Sequence, residues 1–229
     1  AETDGAKPID GAQFFTRLGQ RIIHLLTTQT NSGQLYEVDM RLRPSGASGL
    51  LVSSLGAFAR YQENEAWTWE HQALVRARAI YGSAALCIQF DQIRQQIICL
   101  PRDSQTLQQD VLQMRQKLRQ HHAGKSDDPK HSVGGIVDLE FISQYLVLSQ
   151  GAAHPALYRF SDNIRILDAA AQCGLLPPLQ VEALQQAYQL LRGVGHRQTL
   201  APATVPAADS LAEAKQAVEQ AWQQLFVPA

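Results

Sequence analysis

From Ser53 onward, apolar side chains recur at three- and four-residue intervals almost without a break, and a chain patterned this way buries them as packed helices. Segments near 66–81, 83–99, 104–122, 134–150, 162–173, 178–194 and 208–226 each carry the pattern. Another helix is expected from Ser53 or Ser54, acting as N-cap, to about Glu65. Punctuation falls between them: Gly82, Pro101, the polar stretch 124–132, His154-Pro155, Gly174 with Pro177-Pro178, and 201–206. Upstream, a polar lead-in over 1–10 gives way to Phe14, Phe15, Leu18, Ile22, Leu25 and Leu26 at helical spacing across 13–28. Asp10 is placed to cap that helix and Asn31-Ser32-Gly33 to stop it.

One stretch departs from this pattern. Residues 35–44, LYEVDMRLRP, switch to period two: Tyr36, Val38, Met40 and Leu42 share one side, and Glu37, Asp39, Arg41 and Arg43 the other. Pro44 ends the run. The spacing predicts a strand, and a lone strand cannot satisfy its own backbone groups, so its partners are either weak strands elsewhere in the chain or, the favoured reading, strands upstream of residue 1. A flexible loop, Ser45-Gly46-Ala47-Ser48-Gly49, follows. The expected fold is therefore mainly α, with a soft boundary between about 100 and 130: a strand-bearing part over 1–103 and a helical bundle over 104–229.

Charge narrows the partners. The formal net charge is -1, with no block of like sign, so composition gives no footprint for nucleic acid or an anionic membrane. Cys87, Cys99 and Cys173 are odd in number and form no C-x-x-C pair, which argues against a disulfide framework and for a reducing compartment. The seven histidines show no metal-binding spacing, and no apolar run is long enough to span a bilayer. A cytoplasmic protein is expected.

The polar side of the period-two run carries the sharpest chemistry. Two carboxylates and two guanidinium groups projecting one way suit phosphoryl or nucleotidyl transfer, because carboxylates hold Mg²⁺ and arginines match phosphate oxygens. On alternation alone, a half-polar strand whose charges pair across a sheet is the commoner reading of the same residues. Arg76 and Arg78, two apart on an expected helix, diverge by about 200°, so at most one faces a given site. Trp67 and Trp69 suit core anchors better than base-stacking platforms. Gly134-Gly135 ahead of Asp138 and Glu140 suits either a capped helix start or a device that positions a nucleotide or its arginines.

The run EVDMRLRPSGASGLLVSS, continued by FARYQENEAWTWEHQALVRARAIYG, closely resembles the glutamine-synthetase adenylyltransferase family, as do GGIVDLEFISQYLVL (134–148) and SDNIRILDAAAQCGLL (161–176). These blocks occur in the right order across most of the chain. The family consists of large bifunctional enzymes with two nucleotidyltransferase-like halves, one attaching AMP to its target and one removing it. The resemblance implies that 1–103 is the remnant of a nucleotidyltransferase-like α/β domain. PSG after the arginines and NEAWTWEH at 64–71 are similar to the attaching, carboxy-terminal half.

Further expectations follow from the resemblance. ATP is the nucleotide substrate and Mg²⁺ the cation, with Asp39 as the third carboxylate of an acidic triad. The Gly-Ser turn and the other two acids of that triad are expected before residue 1, so the chain alone is expected to be catalytically silent. Asp39, Arg41 and Arg43 are the candidate catalytic residues, with Arg41 or Arg43 steadying pyrophosphate. Glu37, Arg76 and Arg78 are candidates for cofactor binding. The implied reaction joins AMP from ATP to a tyrosine hydroxyl of glutamine synthetase, under control of glutamine and the nitrogen-regulatory PII protein. Two alternatives stand beside it: the AMP-removing half of the same enzyme, and a helical docking module without chemistry of its own.

Overall fold

The computed structural model describes residues 8–122, 128–200 and 208–227, and among them it contains nine α-helices and no β-strand. The expected mainly α class is what the chain adopts. The lead-in up to residue 7, the first part of the expected break at 124–132 and the whole of that at 201–206 lie outside the described residues. The chain divides into two units, Ala1–Ala66 and Trp67–Ala229.

In the first unit, α1 (Gly11–Thr27) starts as expected at Asp10, whose carboxylate accepts from the Ala12 and Gln13 amides at 2.9 and 3.3 Å. Its apolar face is present but uncovered: Phe14, Phe15, Leu18, Ile22 and Leu25 are all exposed. Helix α2 (Leu55–Asn64) starts at Ser54, whose hydroxyl accepts from the Ala57 amide. Among the described residues of this unit only Gln62 is buried, so the unit has no apolar core of its own.

The strand expected over 35–44 does not form. Only an isolated antiparallel bridge, Thr30 to Gly33, precedes the run, and within it the Tyr36 amide donates back to the Leu26 carbonyl (2.9 Å). A ladder needs a second edge, and the described residues offer none. The two-sided pattern is also lost: Val38 and Met40 are half-buried, whereas Tyr36 and Leu42 are as exposed as Glu37, Asp39 and Arg41. The remnant of an α/β domain is therefore not seen.

The second unit is a helical assembly around one buried rod. It comprises α3 (Thr68–Val75), α4 (Ala84–Ile98), α5 (Ser104–His121), α6 (Ile136–Gln150), α7 (Asn163–Gln172), α8 (Pro178–Leu200) and α9 (Ala208–Phe226). Helix α6 is buried around almost its whole circumference and touches α3, α5, α7, α8 and α9. Such a helix belongs at the centre of a core, not on its rim. Gln180, early in α8, donates to Gln224, late in α9, so these two helices run antiparallel. Caps at Ser83, Asp103 and Asp162 fix the starts of α4, α5 and α7.

Arginines finish several of these elements. Arg94 donates Nε to the Leu74 carbonyl and Nη2 to that of Val75 (3.1 and 2.6 Å), and Nη1 to that of Tyr158 (2.8 Å). Helix α3 therefore stops at Val75, short of the expected 81, because its last carbonyls face a guanidinium instead of another turn. Arg102 does the same for Ile97 and Ile98 at the end of α4 (2.7 Å each). Arg76 is then a C-cap and Arg78 lies beyond the helix, so the expected divergence of the two on one helix does not apply.

Candidate functional site

The acid and arginines of 37–43 form a tight local structure on irregular backbone. Asp39 Oδ1 accepts from the Arg41 amide (2.8 Å) and from Arg41 Nε (3.0 Å), while Oδ2 accepts from Nε (2.9 Å) and Nη2 (2.6 Å). This bidentate clasp holds the Asp39 carboxyl down at about 2, chiefly through the Arg41 side chain and then its amide. Arg41 is correspondingly raised by its hydrogen bond to Asp39. Both side chains are open to solvent. Glu37, also exposed, adds a smaller attraction to Arg41.

Arg43 does something different. Its Nη1, Nη2 and Nε donate to the carbonyls of Met40 (2.7 Å), Ala47 (3.0 Å) and Gly49 (3.2 Å), which staples the following loop shut. The loop turns through Ser45 at φ 60, a left-handed conformation rare outside glycine. Gly49 closes it because a Cβ there would lie 1.9 Å from the Pro44 carbonyl oxygen. The stretch expected to be flexible is thus cross-braced by an arginine from the candidate site.

The other candidates lie in the second unit. Arg76 Nη1 donates to Glu140 (3.0 Å) and to Asn163 Oδ1 (3.1 Å), joining the end of α3 to α6 and α7. Arg78 is exposed. Trp67, expected in the core, is exposed at the start of α3, where its amide donates to the Glu70 carboxylate (2.9 Å). Trp69 is partly buried.

Asp138 belongs to a constellation that sequence reasoning anticipated only in outline. Asp138 and Arg115 are each 1% exposed, and Arg115 Nε donates to Asp138 Oδ1. Oδ2 accepts from Arg119 Nη2 (2.9 Å) and from the Gly134 amide (2.8 Å). Arg115 Nη2 reaches the carbonyls of His131 (2.9 Å) and Ser132 (3.3 Å), tying the loop before α6 to α5. Burial pushes the Arg115 guanidinium down from its usual value, and Asp138 pulls it back. Asp138 thus holds the Gly134 amide ahead of α6 together with Arg115 and Arg119, neither of which is among the arginines expected at the nucleotide, while Glu140 holds Arg76. The only sequence signal for Arg115 and Arg119 was their i,i+4 spacing on α5.

Magnesium prefers several hard oxygen ligands. Among the described residues no three His, Cys, Asp or Glu side chains converge on a point, and both oxygens of Asp39 are taken by Arg41. The described residues do not by themselves fit a Mg²⁺ site; Asp39 offers at most one ligand. The described residues also contain no helix long and apolar enough to cross a membrane, and all three cysteines are free.

Comparison with known proteins adds an independent line. Residues 1–93 match the family model for glutamate-ammonia ligase adenylyltransferase, and residues 104–202 match that for GlnD PII-uridylyltransferase. The chain is 54% identical over 98% of its length to a bifunctional glutamine synthetase adenylyltransferase/adenylyl-removing enzyme of Pseudomonas syringae pv. tomato, covering 24% of that protein. It is 52% identical over 98% of its length to the protein so described from Pseudomonas putida, covering 25% of it. The counterpart in Pseudomonas aeruginosa is 54% identical over 87% of the chain, which covers 22% of it. The chain is thus similar along nearly its whole length to glutamine synthetase adenylyltransferase/adenylyl-removing enzymes, and it spans about a quarter of the length of the relatives it matches.

Proposed function

We propose that the chain is part of the half that attaches AMP, from ATP, to a tyrosine of glutamine synthetase. The observation that carries this reading is the Asp39–Arg41 clasp on its braced loop, in a chain that stays over half identical to the adenylyltransferases along 98% of its length. An exposed carboxylate–guanidinium pair is held by little net free energy and can exchange partners. When triphosphate arrives, Arg41 moves from Asp39 to phosphate oxygens, which it matches in the same bidentate way. Asp39 would then be free to contribute one oxygen to a Mg²⁺ site, whose other ligands would have to come from elsewhere in the polypeptide and whose charge would polarise the phosphate. Arg43 holds the loop in shape, and Glu37 biases Arg41 electrostatically. Arg76, fixed by Glu140 and Asn163, and Arg78 remain candidates for nucleotide contact. Chemistry belongs to 1–103, and 104–229 forms the associated bundle in a cytoplasmic enzyme.

The test uses the full-length polypeptide with unmodified glutamine synthetase, Mg²⁺ and ATP labelled at the α-phosphate. Label on a tyrosine of the target, abolished by Asp39→Asn, supports the reading. Undiminished labelling in the variant removes Asp39 from the site. If phosphate and adenylylated target instead release ADP in an Asp39-dependent way, the AMP-removing assignment replaces it.

A second reading, regulation by docking, is favoured by the match of 104–202 to the PII-uridylyltransferase model. Here the bundle answers to the PII protein or to glutamine and performs no chemistry. Deleting 104–229 would then alter the response to these effectors while leaving basal adenylylation intact; loss of basal activity would refute it.

A further inference from the structure

On the second unit, a groove of about 580 Å³ opens between the loop ahead of α6, the first turns of α6 and the last turns of α8. Its charged and polar lining includes Asp128, Lys130, Glu140, Arg192, His196 and Thr199. The two carboxylates are already engaged. Asp128 Oδ1 accepts from the Lys130 amide (2.8 Å), and Glu140 accepts from Arg76 (3.0 Å). Of the two, only Glu140 has a cationic partner among the described residues; Asp128 accepts a backbone amide and keeps its charge, as do the cations nearby. Among the described residues, Arg192 meets the Tyr188 hydroxyl (3.2 Å), the Tyr188 ring (5.7 Å to its centroid) and His196 Nε2 (3.4 Å), and neither Arg192 nor Lys130 pairs with a carboxylate.

The walls are also fixed before any ligand arrives. The Ile136 and Val137 amides donate to the Pro129 and Lys130 carbonyls at 3.0 Å each. From the other side, Arg115 holds the His131 and Ser132 carbonyls, and Asp138 holds the Gly134 amide. The Lys130 backbone is therefore braced from α6 and followed by a segment clamped from α5, so little ordering remains to be done on binding. We propose that this groove is an anion site that takes the phosphate group of a small phosphorylated molecule. An ammonium from the loop and a guanidinium fork and an imidazole from α8 approach a tetrahedral group from different sides, while the Thr199 hydroxyl donates to the Gly195 carbonyl (3.0 Å); a planar carboxylate needs only one fork. The volume leaves room for the organic remainder of such a molecule.

The experiment records amide ¹H–¹⁵N shifts of the 229-residue chain during titration with inorganic phosphate, and in parallel with chloride and acetate at equal ionic strength. Expected are saturable phosphate shifts at 128–130, 136–140 and 192–199. Lys130→Gln and Arg192→Gln should each weaken binding about tenfold. Lys117→Gln, which removes an exposed charge from α5, should leave it unchanged. All three altered side chains are exposed, so each variant should keep the wild-type spectrum elsewhere. Unsaturable shifts, equal responses to chloride or acetate, or indifference to the Lys130 and Arg192 changes would each overturn the proposal.

Discussion

Replacing Asp138 by alanine tests the second unit where its reasoning is most exposed. The carboxylate is 1% exposed and receives hydrogen bonds from two guanidinium groups and one backbone amide. Removing it strands Arg115, itself 1% exposed, as a buried charge without its counter-ion. Breaking a buried pair from one side typically costs about 3–5 kcal/mol, far more than the net worth of the intact pair. Arg119 is 35% exposed and can turn outward, so it adds little to that cost. The reciprocal change, Arg115→Met, should cost less, because Asp138 would keep Arg119 and the Gly134 amide. At a slope of about 2 kcal/mol per molar urea, the Asp138→Ala midpoint should fall by about 1.5–2.5 M. Fluorescence of Trp222, buried and facing Arg119 at 5.7 Å, reports on unfolding, and exchange of the Gly134 amide reports locally. A midpoint within about 0.5 M of wild type, with that amide still protected, would refute the claim that this carboxylate neutralises the node.

Three further outcomes follow from the same structure. Gly134→Ala should destabilise the second unit by more than about 2 kcal/mol, because φ is +69° and the new Cβ would lie 2.2 Å from the Lys215 carbonyl oxygen; urea unfolding measures it. His131, stacked 3.8 Å from His122, is pushed below its ordinary 6.5 chiefly by burial, so the folded chain resists protonation there. The unfolded chain takes up that proton first, and stability should decline as pH falls below about 6.5, with a shallower slope in His131→Gln. The Asp39 carboxyl should titrate near 2 by NMR and return towards 3.8 in Arg41→Ala; no change would deny the clasp.

Much of the helical architecture was legible because local chemistry and packing agree there. Asp10, Ser54, Ser83, Asp103 and Asp162 each cap the helix that the apolar pattern places after them. What was not legible depends on contacts distant in sequence. Nothing local marks Arg94 as the partner of carbonyls about twenty residues upstream, so the early end of α3 could not be read. Nor does spacing reveal that α6 faces protein around almost its whole circumference: Ser143 and Gln144, polar by type, are both buried. The period-two run misled for a related reason. Alternation records what a segment could present to a sheet, but only a second edge makes it a strand, and Arg41 and Arg43 find partners within their own loop. The residues of the candidate site were thus identifiable by type, while their pairing was not.

That pairing also separates arginines that can serve chemistry from those that cannot. Arg94, Arg102 and Arg115 are bound inward to carbonyls or a carboxylate, and releasing any of them would leave buried polar groups unmet, at about 1–3 kcal/mol for each. Arg165 pairs with Asp162 in the open, but Asp162 is also the N-cap of α7, so that exchange would unsettle a helix start. The Asp39–Arg41 clasp strands no buried group and caps no helix, although Asp39 Oδ1 also accepts from the Arg41 amide (2.8 Å). It is exposed, it sits on backbone that belongs to no helix, and the adjoining loop is held by Arg43 instead. Exchange of its partners should therefore cost the fold little, as the proposal that Arg41 leaves Asp39 for phosphate requires.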